Sequence, residues 1–124
     1  MRALRVLGDA DGRTKGPALA DALETTVGFV AQVVGPLVKA GWVRSDPGPT
    51  GGYVLTADLD HVSVLAVIEA VDGPTDTGRC VVADRACGGA SPCVLHTAWA
   101  AGRAELVGAL GGMPVSQLDA LVAP

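Results

Sequence analysis

Apolar residues recur along this chain at two different periods, and the periods divide it into elements. Leu4 and Leu7, three apart, predict a helix over residues 2–8. A polar loop from Gly8 to Gly16 follows. Pro17 suits a first helical turn, and Leu19, Ala20 and Leu23 give a short amphipathic helix. Glu24-Thr25-Thr26 breaks it. Thr26 is placed to cap a third helix that carries Phe29, Val30, Val33, Val34, Leu37 and Val38 at helical spacing. Pro36 should kink this helix or end its regular part near Val34, and Gly41 supplies the stop.

The period then changes. Residues 42–45 and 53–56 read as two strands around the turn Asp46-Pro47-Gly48-Pro49-Thr50-Gly51-Gly52, which makes a β-hairpin. Two short helices joined by a tight turn form a helix–turn–helix, and a hairpin directly after one is a wing. Ser63 can cap a fourth helix through Val71, stopped by Gly73-Pro74. Ser91-Pro92 opens a long helix reaching about Leu110, with Leu95, Trp99, Leu106 and Leu110 on its apolar side. Residues 116–121 read as a last helical turn or two. The fold class is therefore mainly α with a small β-hairpin wing: a winged helix–turn–helix followed by a long C-terminal helix.

Composition adds three constraints. At 124 residues the chain makes one domain. Its four aromatic residues, Phe29, Trp42, Tyr53 and Trp99, leave the core to Val, Leu and Ala. No apolar run reaches the roughly 18 residues that span a bilayer, and no signal-peptide pattern opens the chain, so a soluble, cytoplasmic protein with no membrane partner is expected. The net charge of −4 is unevenly spread. Residues 58–124 carry eight acids against Arg79, Arg85 and Arg103. Residues 1–57 carry Arg2, Arg5, Arg13, Lys15, Lys39 and Arg44 against five acids. A DNA-facing surface fits the first half, as a weak electrostatic binder that leans on shape. No phosphate-binding glycine loop and no nucleophile–base set points to an enzyme.

All three cysteines fall between positions 80 and 93, as Cys80, Cys87 and Cys93, and His96 follows. Three thiolates and an imidazole at Cys-x6-Cys-x5-Cys-x2-His suit a thiophilic metal centre. The odd count in a reducing compartment disfavours a disulfide staple. An iron–sulfur cluster, a tetrahedral zinc site, a thiol switch and three uninvolved thiols all remain open on the residues alone. Cys93 is expected in the first turn of the long helix, with His96 on the same face. His61, with no thiol nearby, reads as structural.

The N-terminal end of the second helix of the motif would meet base edges, with Thr25, Thr26 and Gln32 able to donate or accept there. Lys15, Lys39 and Arg44 are candidates for phosphates. Gly48, Gly51 and Gly52 allow a tight turn and close backbone approach to a phosphate, and Tyr53 reads as a packing residue.

The order of these pieces resembles the Rrf-two family of bacterial regulators, whose members include the iron–sulfur assembly regulator and the nitric-oxide-sensing repressor. The resemblance rests on Lys39-Ala40-Gly41-Trp42-Val43, then Gly48-Pro49-Thr50-Gly51-Gly52-Tyr53, then Ala70-Val71-Asp72-Gly73-Pro74, then the cysteines. It implies three regions: a DNA-binding domain at 1–72, a cysteine loop at 73–93, and a dimerisation helix with its tail at 94–124. It further implies a homodimer on a palindromic operator of double-stranded DNA. A [2Fe–2S] or [4Fe–4S] cluster would be held by Cys80, Cys87 and Cys93, with His96 a candidate fourth ligand. Thr25, Thr26, Gly28, Phe29 and Gln32 match the family's recognition face, and Arg44, Pro49, Thr50 and Gly51 match its wing region. The activity implied is transcriptional regulation, with repression the expected sign, in response to nitric oxide, redox state or cluster supply. The alternatives are a zinc-stabilised or thiol-switch regulator without a cluster, and a small metal-stabilised protein-interaction domain.

Three departures from the family bear on this. The family start lies several residues earlier, so a carboxylate ligand that some members take from there falls at or before Met1. Pro47 stands where the wing often has arginine. The first cysteine gap is six residues where five is common.

Overall fold

The computed structural model describes residues 1–75 and 93–118. Its elements run α1 (Arg2–Asp9), α2 (Gly16–Ala22), α3 (Val27–Lys39), β1 (Val43–Asp46), β2 (Gly52–Leu55), α4 (Val64–Asp72), α5 (His96–Gly111) and a 3₁₀ turn at Val115–Gln117. Ala3, Leu4 and Leu7 of α1, Leu19 and Ala20 of α2, and Val30, Val34 and Leu37 of α3 meet in one core. Leu4 and Leu7, and Val30, Val34 and Leu37, are spaced three or four apart, which brings each set to one side of its helix. Val43, Val62, Val67 and Val115 close this core from the wing, α4 and the C-terminal turn.

Local chemistry sets the helix boundaries. The Thr26 hydroxyl accepts the Phe29 N–H at 3.2 Å, and the Ser63 hydroxyl accepts the Ala66 N–H at 3.0 Å. Each satisfies a donor that a helix start leaves orphaned. Replacing Thr26 with alanine should cost about 1 kcal/mol, read as a lower urea midpoint with an unchanged slope. At the other end of α3, Gly41 takes φ 86° and donates to Val38 C=O at 3.0 Å, while Trp42 donates to Leu37 C=O at 3.1 Å. That pair of bonds closes the last turn in a Schellman arrangement.

The turn between α2 and α3 uses the same device with an unusual residue. Glu24 sits at φ 56°, donating to Asp21 C=O at 3.1 Å, and Thr25 donates to Ala20 C=O at 2.9 Å. A side chain in this region is strained, and the two bonds hold it there. The turn sets α2 and α3 at 93° to one another.

Three expectations from the sequence need correction. Of the two outcomes allowed for Pro36, a kink or an end near Val34, the end does not occur: helix α3 runs through Pro36 to Lys39. Pro36 withdraws one donor from the Gln32 carbonyl, and Gln32 is exposed to water, so burial of Val34 and Leu37 outweighs the loss. Phe29 and Val38 share the apolar period of α3 but are exposed, at 51% and 37%. Helix α5 begins at His96, so Cys93 precedes it rather than lying in its first turn. Ser91 and Pro92, read as the opening of that helix, lie outside the described residues. Of the last helical turn or two expected over 116–121, a 3₁₀ turn stands at Val115–Gln117, and residues 119–121 lie outside the described residues.

The start of this turn at Val115 has a clear cause. The chain after α5 returns as an extended segment, with Val64 N–H donating to Met113 C=O and Val115 N–H to Val62 C=O, both at 2.8 Å. This pairing buries Val115 completely. A helix starting earlier would withdraw those backbone groups from the pairing.

Candidate nucleic-acid interface and cysteine site

Helix α3 buries one side and leaves the other open. Thr26, Val27, Gly28, Phe29, Ala31, Gln32 and Gly35 are all exposed along it. Gly28, Phe29 and Gln32 therefore lie on this open side, along with the small residues Ala31 and Gly35. Thr25 is half-buried, and its N–H is committed to Ala20 C=O. Thr26 uses its hydroxyl oxygen as the helix cap, which leaves its O–H proton and methyl for a ligand.

The wing is an antiparallel pair, Val43 opposite Leu55, Arg44 opposite Val54, Ser45 opposite Tyr53 and Asp46 opposite Gly52. Its strands sit one residue away from their expected bounds. The Gly51 N–H donates to Gly48 C=O at 2.9 Å, which makes Gly48-Pro49-Thr50-Gly51 a β-turn with Pro49 at the position that prefers proline. Pro49 and Thr50 are exposed at its tip, whereas Gly51 is buried.

The glycines of this turn serve the protein's own backbone. A Cβ on Gly51 would strike the Asp46 and Pro47 carbonyl oxygens. A Cβ on Gly52 would stand 2.6 Å from the Thr14 carbonyl oxygen and 2.8 Å from Arg13 Cγ. The reason is a pairing the sequence did not announce. Thr14 N–H donates to Tyr53 C=O at 2.9 Å, and Tyr53 N–H donates to Thr14 C=O at 2.8 Å. What reads as a plain polar loop thus adds a short third rung to the wing. Tyr53 packs against the core, as expected.

Arg13 follows from that pairing and was also missed. Its guanidinium donates to the Asp46 carboxylate at 2.7 Å and to Thr50 C=O at 2.9 Å. Arg44 donates to the same carboxylate at 3.2 Å. The Arg44 hydrogen bond, and after it the Arg13 one, holds the Asp46 carboxyl below its usual range. Nothing local in Asp11-Gly12-Arg13-Thr14 reveals this, because the partners are 33 and 37 residues away. Lys15 lines a cleft of about 420 Å³ between the start of α2 and the wing, together with Ser45, Pro47 and Pro49.

At the other site, the described residues include Cys93 and His96 and not Cys80 or Cys87. Cys93 is half-buried, and the His96 N–H donates to the Cys93 carbonyl at 3.1 Å, which folds the two into one turn at the mouth of α5. Among the described residues no three His, Cys, Asp or Glu side chains converge on a metal position. The donor set of three cysteines and a histidine nonetheless fits a thiophilic centre chemically. His61 is exposed, with its Nδ1 3.1 Å from the Asp58 carboxylate, and stands apart from this site.

Helix α5 has no buried residue. Leu95, Trp99 and Leu106 are 49%, 54% and 59% exposed, and they line one stripe with Gly102 and Leu110. Part of the stripe is a shallow apolar groove of about 320 Å³ walled by Trp99, Leu106 and Leu110. Among the described residues no single helix is long and apolar enough to cross a membrane.

A helix–turn–helix with a hairpin wing, closed by a separate long helix, defines a winged-helix protein. The chain belongs to the Rrf2 family, described as iron-dependent transcriptional regulators, whose profile matches residues 1–120. It is 35% identical over 108 residues to the HTH-type transcriptional regulator IscR of Serratia proteamaculans (strain 568), covering 84% of this chain and 65% of that protein. It is 40% identical over 88 residues to IscR of Yersinia pestis, covering 68% of this chain and 53% of that protein. The chain thus spans less than two thirds of the length of these curated relatives. Among solved structures it is similar to CymR, the global cysteine regulator of B. subtilis, with a TM-score of 0.71 at 21% identity over 97% of this chain and 88% of that one. It is also similar to IscR of T. potens, with a TM-score of 0.67 at 18% identity over 94% and 74%. These relatives are transcriptional regulators and not enzymes.

Proposed function

We propose that this protein is a homodimeric, DNA-binding transcriptional repressor that senses through an iron–sulfur cluster held by Cys80, Cys87 and Cys93, with His96 as fourth ligand. The observation that carries the DNA reading is the open face of α3. It presents Gly28, Phe29, Ala31 and Gln32 beside a wing whose tip is Pro49-Thr50. Small residues let the helix approach the groove floor. Gln32 can pair with adenine, and Phe29 and the Thr26 methyl can touch thymine methyls. Lys15 and Arg44 serve phosphates, which position the protein without specifying sequence.

Dimerisation is supported by the exposed stripe on α5. Two copies packed through it would place two α3 helices on the half-sites of a palindrome. The sensing part rests on the donor chemistry and on the family's description. A bound cluster would supply redox and ligand-exchange chemistry at the start of α5. Cys93 and His96 are joined by a backbone hydrogen bond there, so a change in their ligation bears directly on the helix proposed to join the subunits. A coupling of about 1–3 kcal/mol to operator affinity would suffice for regulation.

The test is anaerobic purification followed by a visible spectrum with iron and acid-labile sulfide analysis. A brown protein with charge-transfer bands and sulfide is expected, and Cys93→Ala should lose both colour and sulfide. A colourless protein that contains zinc, or no metal after reconstitution, would sink the cluster and leave the DNA reading standing. Selection from a random duplex pool tests that reading separately: a palindromic consensus whose binding weakens with salt is the expected outcome.

A further inference from the structure

At the wing two arginines meet one acid. Asp46 sits at the end of β1, where Arg13 reaches it from the loop before α2 and Arg44 reaches it along the strand. Both arginines are substantially exposed, at 42% and 57% of their side chains, and Asp46 is 29% exposed. The strand pairing at Asp46 is made by backbone groups and not by its carboxylate. Its carboxylate offers a guanidinium the same two-oxygen acceptor that a DNA phosphate offers. The cluster lies on the face that carries the wing tip, since Arg13 also bonds the Thr50 carbonyl.

We propose that Asp46 is a specificity-determining residue that acts as an internal stand-in for a DNA phosphate. It occupies Arg13 and Arg44 and so restrains sequence-independent binding by the wing. The proposal rests on the DNA-binding reading above. Phosphate contacts add affinity for any sequence, and the useful quantity for a regulator is the ratio of specific to non-specific affinity. A wing with two unopposed guanidinium groups would raise the non-specific term alone. With Asp46 in place the cluster has a net charge of +1, and an approaching phosphate must compete with a carboxylate already seated. Exposed ion pairs of this kind exchange readily, so the arginines stay recruitable when α3 fits its site. The carboxyl titrates below its ordinary value, so it is ionised at neutral pH and available for this role.

The experiment uses fluorescence anisotropy with a labelled random-sequence duplex, over a range of KCl, on the full chain. The variants are Asp46→Asn, Asp46→Ala, Arg44→Gln and the double variant Asp46→Asn/Arg44→Gln. Both Asp46 variants should bind random DNA more tightly, by about three- to tenfold at low salt. Their log–log salt slope should steepen by about 1–2, the value for one added phosphate per subunit of a dimer. Arg44→Gln should cost more affinity in the Asp46→Asn background than in the wild type, a coupling that a merely structural role for Asp46 would not produce. Unchanged or weaker binding by both Asp46 variants, when the wild type binds and all melt alike, overturns the proposal and spares the DNA reading. A wild type that binds no duplex at any salt overturns both.

Discussion

Replacing Gly52 with alanine is expected to unseat the wing and with it DNA binding. The residue sits at φ 144°, which an L side chain rarely adopts. Its missing Cβ faces the Thr14 carbonyl oxygen at 2.6 Å and Arg13 Cγ at 2.8 Å. The arginine stem can swing aside. The carbonyl cannot, because it accepts the Tyr53 N–H at 2.8 Å, and Tyr53 is tied to the core. Relief therefore means breaking the Thr14–Tyr53 pairing and moving Arg13 away from Asp46. Backbone strain and overpacking together should cost about 2–5 kcal/mol, a large share of the roughly 5–15 kcal/mol that stabilises a domain. Urea unfolding measures the cost. Amide exchange should show Thr14 and Tyr53 losing protection first, before α3 and α4. A variant with wild-type stability and intact protection at these two amides would mean that the approach of the two segments is looser than 2.6 Å implies.

The same pairing shows where sequence reading succeeds and where it stops. Thr26, Ser63 and Gly41 were legible because a cap acts over three or four residues and leaves its signature in that window. The helix–turn–helix and the wing followed from two periods and a glycine-rich turn. Three features were not legible for a single reason. The pairing of Thr14 with Tyr53, that of Val62 with Val115, and the bond from Arg13 to Asp46 each join distant segments that meet only after the core has formed. Polar loops carry no periodicity that would announce such partners. The start of α5 failed differently. Ser-Pro is a common helix opening, yet the chain folds a turn at Cys93–His96 first, and the helix begins without a side-chain cap. For the candidate site, residue type pointed to Gln32, Phe29 and Gly28, and their exposure is compatible with that reading. Residue type alone did not show that Gly51 and Gly52 answer to the protein's own backbone rather than to a phosphate.

Helix α5 supports the other large effect. Leu106→Glu should leave the isolated subunit folded and convert the proposed dimer into a monomer. In the single chain Leu106 is 59% exposed, so a charge there remains in water and costs the fold little. If two copies meet through the stripe of Leu95, Trp99, Leu106 and Leu110, a two-fold axis buries the change twice. Each leucine then withholds about 1.5–3 kcal/mol of apolar burial, so the pair costs about 3–6 kcal/mol before any penalty for a carboxylate in an apolar seam. That is a loss of roughly a hundredfold or more in dimer affinity. Sedimentation equilibrium reads the mass, and circular dichroism confirms that helix content is kept. DNA binding should fall with it, because a palindrome is held by two subunits and a monomer engages one half-site. Trp99→Glu, on the next turn but one of the same stripe, should behave alike. An intact dimer in both variants would place the subunit contact elsewhere on the molecule and leave this stripe without a partner, which an apolar surface of this kind rarely is.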